Sequence, residues 1–355
     1  MFFNIDADDG NSIRGWLAPD NPSAAPKLIV ITPGGGEFEV QAGLPRPDIR
    51  DLGIHNTGMV GFDVNATVVP NLGEIDDVEI LEAESRLPIY RRFRIDRHVE
   101  RKLFLFDCSV VPQRRIIAAA NKHFTLNYTN SEKYSFETML VIINNSFNKS
   151  IFISGRSNSN RYASYLADAG YVTAAMLRDP FEELAERLLL LRLLSKSDAA
   201  YLLPTFITGI TPLVDFARDL PFDDQRALIA AFRRATDAQR EAMTSPMTRT
   251  FGCNVDEFPE RRHVSIALEN LARMDLVGTR SRFRVFSRLL ADLIGADLMG
   301  QDEPVTFDTV RTFAATLSRV GPVTDVLEHD LALYSYAEEA MDAALDGVTK
   351  DAQAI

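Results

Sequence analysis

The sequence predicts an α/β protein: a parallel sheet flanked by helices, a largely helical C-terminal half, and a small N-terminal β-sandwich. Three observations carry this. Between about 100 and 195, short apolar runs alternate with amphipathic stretches, the pattern of strand–helix units that build parallel sheets. From about 205 onward nearly every apolar residue recurs at helical spacing. Before 95, Gly and Pro are dense, and short β-prone runs are separated by turn clusters.

In the N-terminal stretch, Lys27–Ile31, Val60–Val64 and Ala66–Val69 read as strands, and Pro33-Gly34-Gly35-Gly36 as a hairpin turn. A phosphate-loop reading of those glycines fails, because no Lys-Ser/Thr follows and Glu37 and Glu39 would repel phosphate. A basic connector (Arg91, Arg92, Arg94, Arg97) then divides an accessory module, 1–95, from an α/β domain, 96–355. Within the second, Lys102–Phe106, Ile151–Ser154 and Tyr171–Leu177 read as buried strands. Pro112–His123, Tyr134–Ile143, Arg161–Ala169 and Phe181–Leu194 read as helices. The helical half comprises Asp223–Met243, Val264–Met274, Arg280–Leu293, Phe307–Val320 and His329–Leu345.

A chain of 355 residues with 46% hydrophobic and 25% charged residues buries a sizeable core. Its formal charge of −12 excludes non-specific nucleic-acid binding, which needs a basic face. The two cysteines, Cys108 and Cys253, form neither a metal-type cluster nor a disulfide framework. Asp6, Asp8 and Asp9 close behind Met1 are unlike a secretory leader, and Leu188–Leu194, broken by Arg192, is too short for a membrane span. A reducing cytoplasm is the expected compartment.

The strongest local signal is Tyr171–Leu177 running into Arg178-Asp179-Pro180. Asp179 is a good N-cap and Pro180 is pre-set for the first helical position. The N–H groups that follow emerge beside a strand C-terminus, where open α/β sheets bind ligands. Arg178 either forks onto a phosphate there or pairs structurally with Asp179 or Glu182.

A strand entering Arg-Asp-Pro and then a helix resembles the 3′-phosphate segment of sulfotransferases that use the donor PAPS. Glu269-Asn270-Leu271, Asp275-Leu276-Val277-Gly278 and Phe283, with Asn254–Phe258 before them, resemble the C-terminal half of the membrane-type and bacterial carbohydrate sulfotransferases, as does Asp330–Ala337. The resemblance spans roughly 150–355 and implies a P-loop-like α/β domain. Separately, Gly15-Trp16-Leu17, Arg46-Pro47-Asp48-Ile49 and Gly61-Phe62 resemble a β-rich module attached to bacterial glycosyltransferases and other surface-polysaccharide enzymes.

The resemblance also implies a loop around the donor's 5′-phosphosulfate. One candidate is Ser154-Gly155-Arg156-Ser157-Asn158-Ser159-Asn160, similar to an Arg-Ser-Gly-Ser-Thr loop but with Asn158 in place of Gly. On that alignment Arg156, Ser157, Asn158, Ser159 and Arg178 hold the donor, and Arg156 also stabilises the transferring sulfuryl group. The other candidate, Asp107–Arg115, has the better spacing but lacks Lys and Gly and carries Asp107. Glu186 stands in the donor site where the family has a phosphate-binding Ser, eight residues after Arg178; a carboxylate there opposes phosphate. Of the five histidines, His123 is the candidate general base. The expected function is transfer of a sulfuryl group from PAPS to a hydroxyl of a bacterial surface glycan. The alternative is a degenerate or different-donor transferase, or a non-catalytic glycan-binding protein of the same pathway. No metal is expected.

Overall fold

The computed structural model describes residues 1–111, 113–196, 210–300 and 306–353, side chains of 345–353 aside. Pro112, and residues 205–209 of the helical half expected from the sequence, lie outside the described residues.

The first eight strands are β1 Phe2–Asp8, β2 Ser12–Ala18, β3 Lys27–Thr32, β4 Gly36–Gln41, β5 Leu44–Pro45, β6 Met59–Asn65, β7 Glu79–Glu82 and β8 Pro88–Arg91, with a short helix α1, Pro47–Asp51. They form two antiparallel four-stranded sheets, ordered β1-β2-β6-β5 and β4-β3-β7-β8. Alternation places Phe3, Ile5, Ile13 and Leu17 of one sheet against Leu28, Val30 and Ile80 of the other in a shared core. Pro33–Gly36 is the β3–β4 hairpin turn, as expected. The stretch from Ala66 to Val69 is not a strand, because Asn65 Oδ1 accepts from both the N–H and the hydroxyl of Thr67 and starts a turn.

The core does not stop at the connector. It continues from Tyr90 into Phe104, Tyr128, Met139 and Ile142. Connector arginines fasten the join: Arg92 binds Asp8 at 2.9 Å, and Arg91 binds Asp77 at 2.7 Å and the Asn121 carbonyl at 3.1 Å.

A five-stranded, wholly parallel sheet follows, built from β9 Lys102–Asp107, β10 Leu126–Thr129, β11 Ile151–Gly155, β12 Val172–Leu177 and β13 Leu276–Thr279. Its order is β10-β11-β9-β12-β13. The helices between strands are α2 Arg114–His123, α3 Phe136–Ile143, α4 Ser159–Asp168 and α5 Pro180–Lys196. Both faces are covered, which is why these strands read as unbroken apolar runs. Leu103, Leu105, Phe152, Ala174 and Met176 face α2 and the later helix Phe283–Ile294. Phe104, Phe106, Ile153, Ala175 and Leu177 face the opposite core.

Between β12 and β13 the chain inserts α6 Leu213–Asp219, α7 Gln225–Arg233, α8 Asp237–Met243, α9 Pro246–Gly252 and α10 Arg261–Ala272. After β13 come α11 Phe283–Ile294, α12 Asp308–Leu317 and α13 Gly321–Gln353. The expected single helix over Asp223–Met243 is two, because Thr236 and Gln239 form a capping box that restarts the chain. Strands β10 and β13 were not expected. No described helix is long and apolar enough to cross a membrane.

The insertion is seated by one buried carboxylate. Asp330 of α13 is fully buried and accepts from the N–H groups of Thr248 (2.6 Å) and Met247 (2.9 Å) at the start of α9. Burial nevertheless pushes its carboxyl up to about 6, against the pull of those N–H groups. The folded state therefore binds a proton more tightly than the unfolded chain, and this group's contribution to stability falls as pH rises from about 4 to about 6. Asp330→Asn lacks that titration. Across this window the unfolding free energy of the variant, measured by urea at each pH, should gain roughly 2–3 kcal/mol relative to the native protein. A constant difference between the two would refute the assignment.

Candidate functional site

Chain connections leave β9 toward β10 on one side and β12 toward β13 on the other, opening a crevice at the C-terminal edge of the sheet. The segments after the five strands therefore converge there. They begin at Cys108, Asn130, Arg156, Arg178 and Arg280.

Arg178 fills the floor of this edge. Asp179 caps α5 as expected, accepting from the N–H groups of Phe181 and Glu182 at 2.9 Å, with Pro180 first in the helix. The guanidinium of Arg178 is 2% exposed and donates to Glu183 (2.5 Å) and to Glu186. Glu183 also accepts from Arg187 at 3.1 Å, and Arg280 lies 3.6 Å from Glu186. Asp107 adds a third buried carboxylate beside Arg178. Burial pushes Asp107 up to about 6 and Glu186 up to about 7, with Arg178 pulling both the other way. Arg178 thus pairs with carboxylates, though with Glu183 and Glu186 rather than Asp179 or Glu182. Glu186, which the sequence placed as an obstacle in a phosphate site, is the arginine's partner.

The loops after β10 and β11 clamp each other. Glu132 accepts from the Arg156 backbone N–H at 3.0 Å and from its guanidinium at 2.9 and 2.8 Å. Asn130 turns through the left-handed region at φ 54°, and Gly155 sits at φ 150°. A Cβ on Gly155 would stand 2.4 Å from the Ser131 nitrogen and 2.6 Å from a Glu132 carboxylate oxygen, so the clamp needs glycine. Ser157 is bonded to Ser131 at 2.7 Å. Asn158 caps α4, and its amide donates to the Cys253 carbonyl at 2.8 Å; Ser159 donates to the Thr250 carbonyl at 3.1 Å. Of this loop, Arg156 lines a cleft while Ser157, Asn158 and Ser159 hold the scaffold. The rival loop closes on itself through Ser109, bonded to Val111 and Gln113, over a void of only about 30 Å³.

Above the floor lies a cleft of about 480 Å³. Its polar lining includes Arg156, Glu132, Arg187, Arg249, Glu241 and Thr250. Arg187 is almost fully buried, and among the described residues its Nε has no hydrogen-bond partner. Arg249 pairs with Glu241 at 3.2 Å and lies over the ring of Phe258, an exposed aromatic, at 5.3 Å. Cys108 is buried in the wall. Ser245, next to the lining residue Pro246, has φ 39°, so three strained or left-handed positions flank the cleft.

His123 is not brought to this site. It ends α2, which starts at the C-terminal edge and runs back about 15 Å. Its carbonyl accepts from Val99, just ahead of β9, so it sits at the opposite edge of the sheet. Burial and Lys122 lower its pKa there. The carboxylates that line the cleft are those of Glu132 and Glu241. Neither Glu132 nor Arg249 stood out in the sequence, because each owes its place to tertiary contacts; the Asn130-Ser131 turn was the nearest local sign. Among the described residues no His, Cys, Asp and Glu cluster could hold a metal.

No protein-family model matches the chain, and no curated protein matches it.

Removing one partner of a buried ion pair strands the other. Arg178→Met should destabilise the protein by about 3–5 kcal/mol, read as a lowered urea midpoint. The paired change Arg178→Met with Glu183→Gln and Glu186→Gln should recover part of that loss. A loss confined to ligand binding, with the midpoint unchanged, would show that Arg178 is not structural.

Proposed function

We propose that this chain is a sulfotransferase-like transferase acting on a hydroxyl of a bacterial surface glycan, with the donor's anionic end in the cleft at the C-terminal edge of the sheet. The observation that carries the reading is the convergence of three guanidinium groups, Arg156, Arg187 and Arg249, on that cleft. Preformed cations aimed at the place where charge develops are the main means of stabilising such a transfer. The Nε of Arg187, without a partner among the described residues, is a donor left for a ligand oxygen. The acceptor oxygen would bond to sulfur as the bond from sulfur to the donor phosphate breaks, the hydroxyl proton passing to Glu132. With PAPS as donor, the sealed guanidinium of Arg178 leaves the 3′-phosphate to Arg187 and Arg249. This departs from the arrangement the Arg-Asp-Pro resemblance implies.

A second reading is favoured by a separate observation. Each cleft arginine is matched by a carboxylate: Arg156 by Glu132, Arg187 by Glu183 and Arg249 by Glu241. Such a lining is close to neutral. It suits sugar hydroxyls, which both donate and accept, and the exposed ring of Phe258 offers an apolar sugar face a surface. On that reading the protein binds a glycan without transferring a group to it.

Calorimetric titration with adenosine 3′,5′-bisphosphate separates the two. The transferase reading expects saturable binding, weakened about tenfold or more in Arg156→Ala and Arg249→Ala, since each loses a charge-assisted hydrogen bond. Absence of heat at millimolar nucleotide, together with binding of neutral polysaccharide fragments, would establish the second.

A further inference from the structure

A second cavity, of about 390 Å³, lies between α4, the start of β12 and the end of α10. Among the described residues it shares none of its lining with the cleft. Its floor is apolar: Phe106, Leu166 and Tyr171 are all buried, and Met274 closes one side. Facing them are Ala163 and Ala167, one helical turn apart on α4 and both exposed. The space exists because both are small.

The two ends are polar and rigid. At one, the Asn270 amide donates to Asn160 Oδ1 at 2.6 Å and to the Phe251 carbonyl at 2.7 Å. At the other, the Asp275 carboxylate accepts from the backbone N–H and the hydroxyl of Thr173 at 2.8 and 3.1 Å. Arg273 stands at the rim, and among the described residues its guanidinium makes no hydrogen bond or ion pair. Asn270 and Asp275 belong to the segment that stood out in the sequence, and the transfer chemistry proposed above uses neither.

We infer that this cavity binds a small amphipathic anion, an apolar ring bearing one negative group. The volume falls within the range of small-molecule sites, which combine an apolar body with a few placed polar groups. The ring would lie over Phe106 and Leu166, and the anionic group would reach Arg273, the cation not already engaged. Asp275 on the same rim disfavours a second negative charge by repulsion. The amide pair Asn160–Asn270 fixes the depth to which a polar substituent can enter.

The probe is 8-anilinonaphthalene-1-sulfonate, an aromatic monoanion, titrated into the full chain and followed by fluorescence. One saturable site per chain is expected. Ala167→Phe should abolish it and Arg273→Glu should weaken it about tenfold or more, since a charge-assisted contact becomes a repulsive one. Both positions are exposed, so the melting temperature should hold; Ala163→Phe serves if Ala167→Phe fails to fold. Arg156→Ala should leave binding unchanged. Lack of a saturable site, full binding in both folded Phe variants, or loss of binding in Arg156→Ala would overturn the inference.

Discussion

The buried ion pairs of Arg178 set the terms for everything at the C-terminal edge of the sheet. One guanidinium at the end of β12 is held by Glu183 and Glu186 of α5, with Arg187, Arg280 and Asp107 around them. Three cations and three carboxylates are thereby taken out of water together. Desolvating so many charges is expensive, and the offset comes chiefly from Arg178, Arg187, Glu183 and Glu186, which meet at hydrogen-bond range. The network ties the segments after β9, β12 and β13 to the first turns of α5. It therefore fixes the floor on which the cleft stands, while leaving the floor itself closed to ligand.

The cleft draws two of its three cations, Arg156 and Arg249, from outside this network and shares Arg187 with it. Arg156 is aimed by the clamp between two strand-end loops, Arg249 by α9, and Arg187 by the second turn of α5. Helix α9 is in turn seated by Asp330 below its N-terminus and by Asn158, Ser159 and Asn270, which donate to carbonyls of Arg249, Thr250, Phe251 and Cys253. These polar side chains look like ligand contacts in a linear sequence. In the fold they are the supports that hold one helix at the right height.

Three of the five parallel strands were legible because burial on both faces leaves them almost wholly apolar, as in Leu103–Phe106 and Ala174–Leu177. The four-residue strands β10 and β13 were not, since Asn127, Thr129 and Gly278 interrupt the apolar pattern. The cap at Asp179 and Pro180 was readable because capping is local. The partners of Arg178 were not, for an arginine preceding a helix can meet several of its first two turns. The Glu132–Arg156 clamp joins residues 24 apart, and its only local traces are the turn at Asn130 and the glycine at 155. The remoteness of His123 follows from the direction of α2, which runs back from the C-terminal edge toward β10, a strand the sequence did not show.

Strand β13 joins the sheet only after an excursion of about a hundred residues, with Asp275 meeting Thr173 across 102 positions. Closing so long a loop is entropically slow compared with the neighbouring strand–helix units, although the extra length adds little to its equilibrium cost. While the chain is being made, β12 must wait with an open edge until the whole α6–α10 insertion has emerged. During that interval the open edge of β12 is a place where other chains can mispair, a hazard set by the order in which the parts are completed and not by the stability of the finished fold.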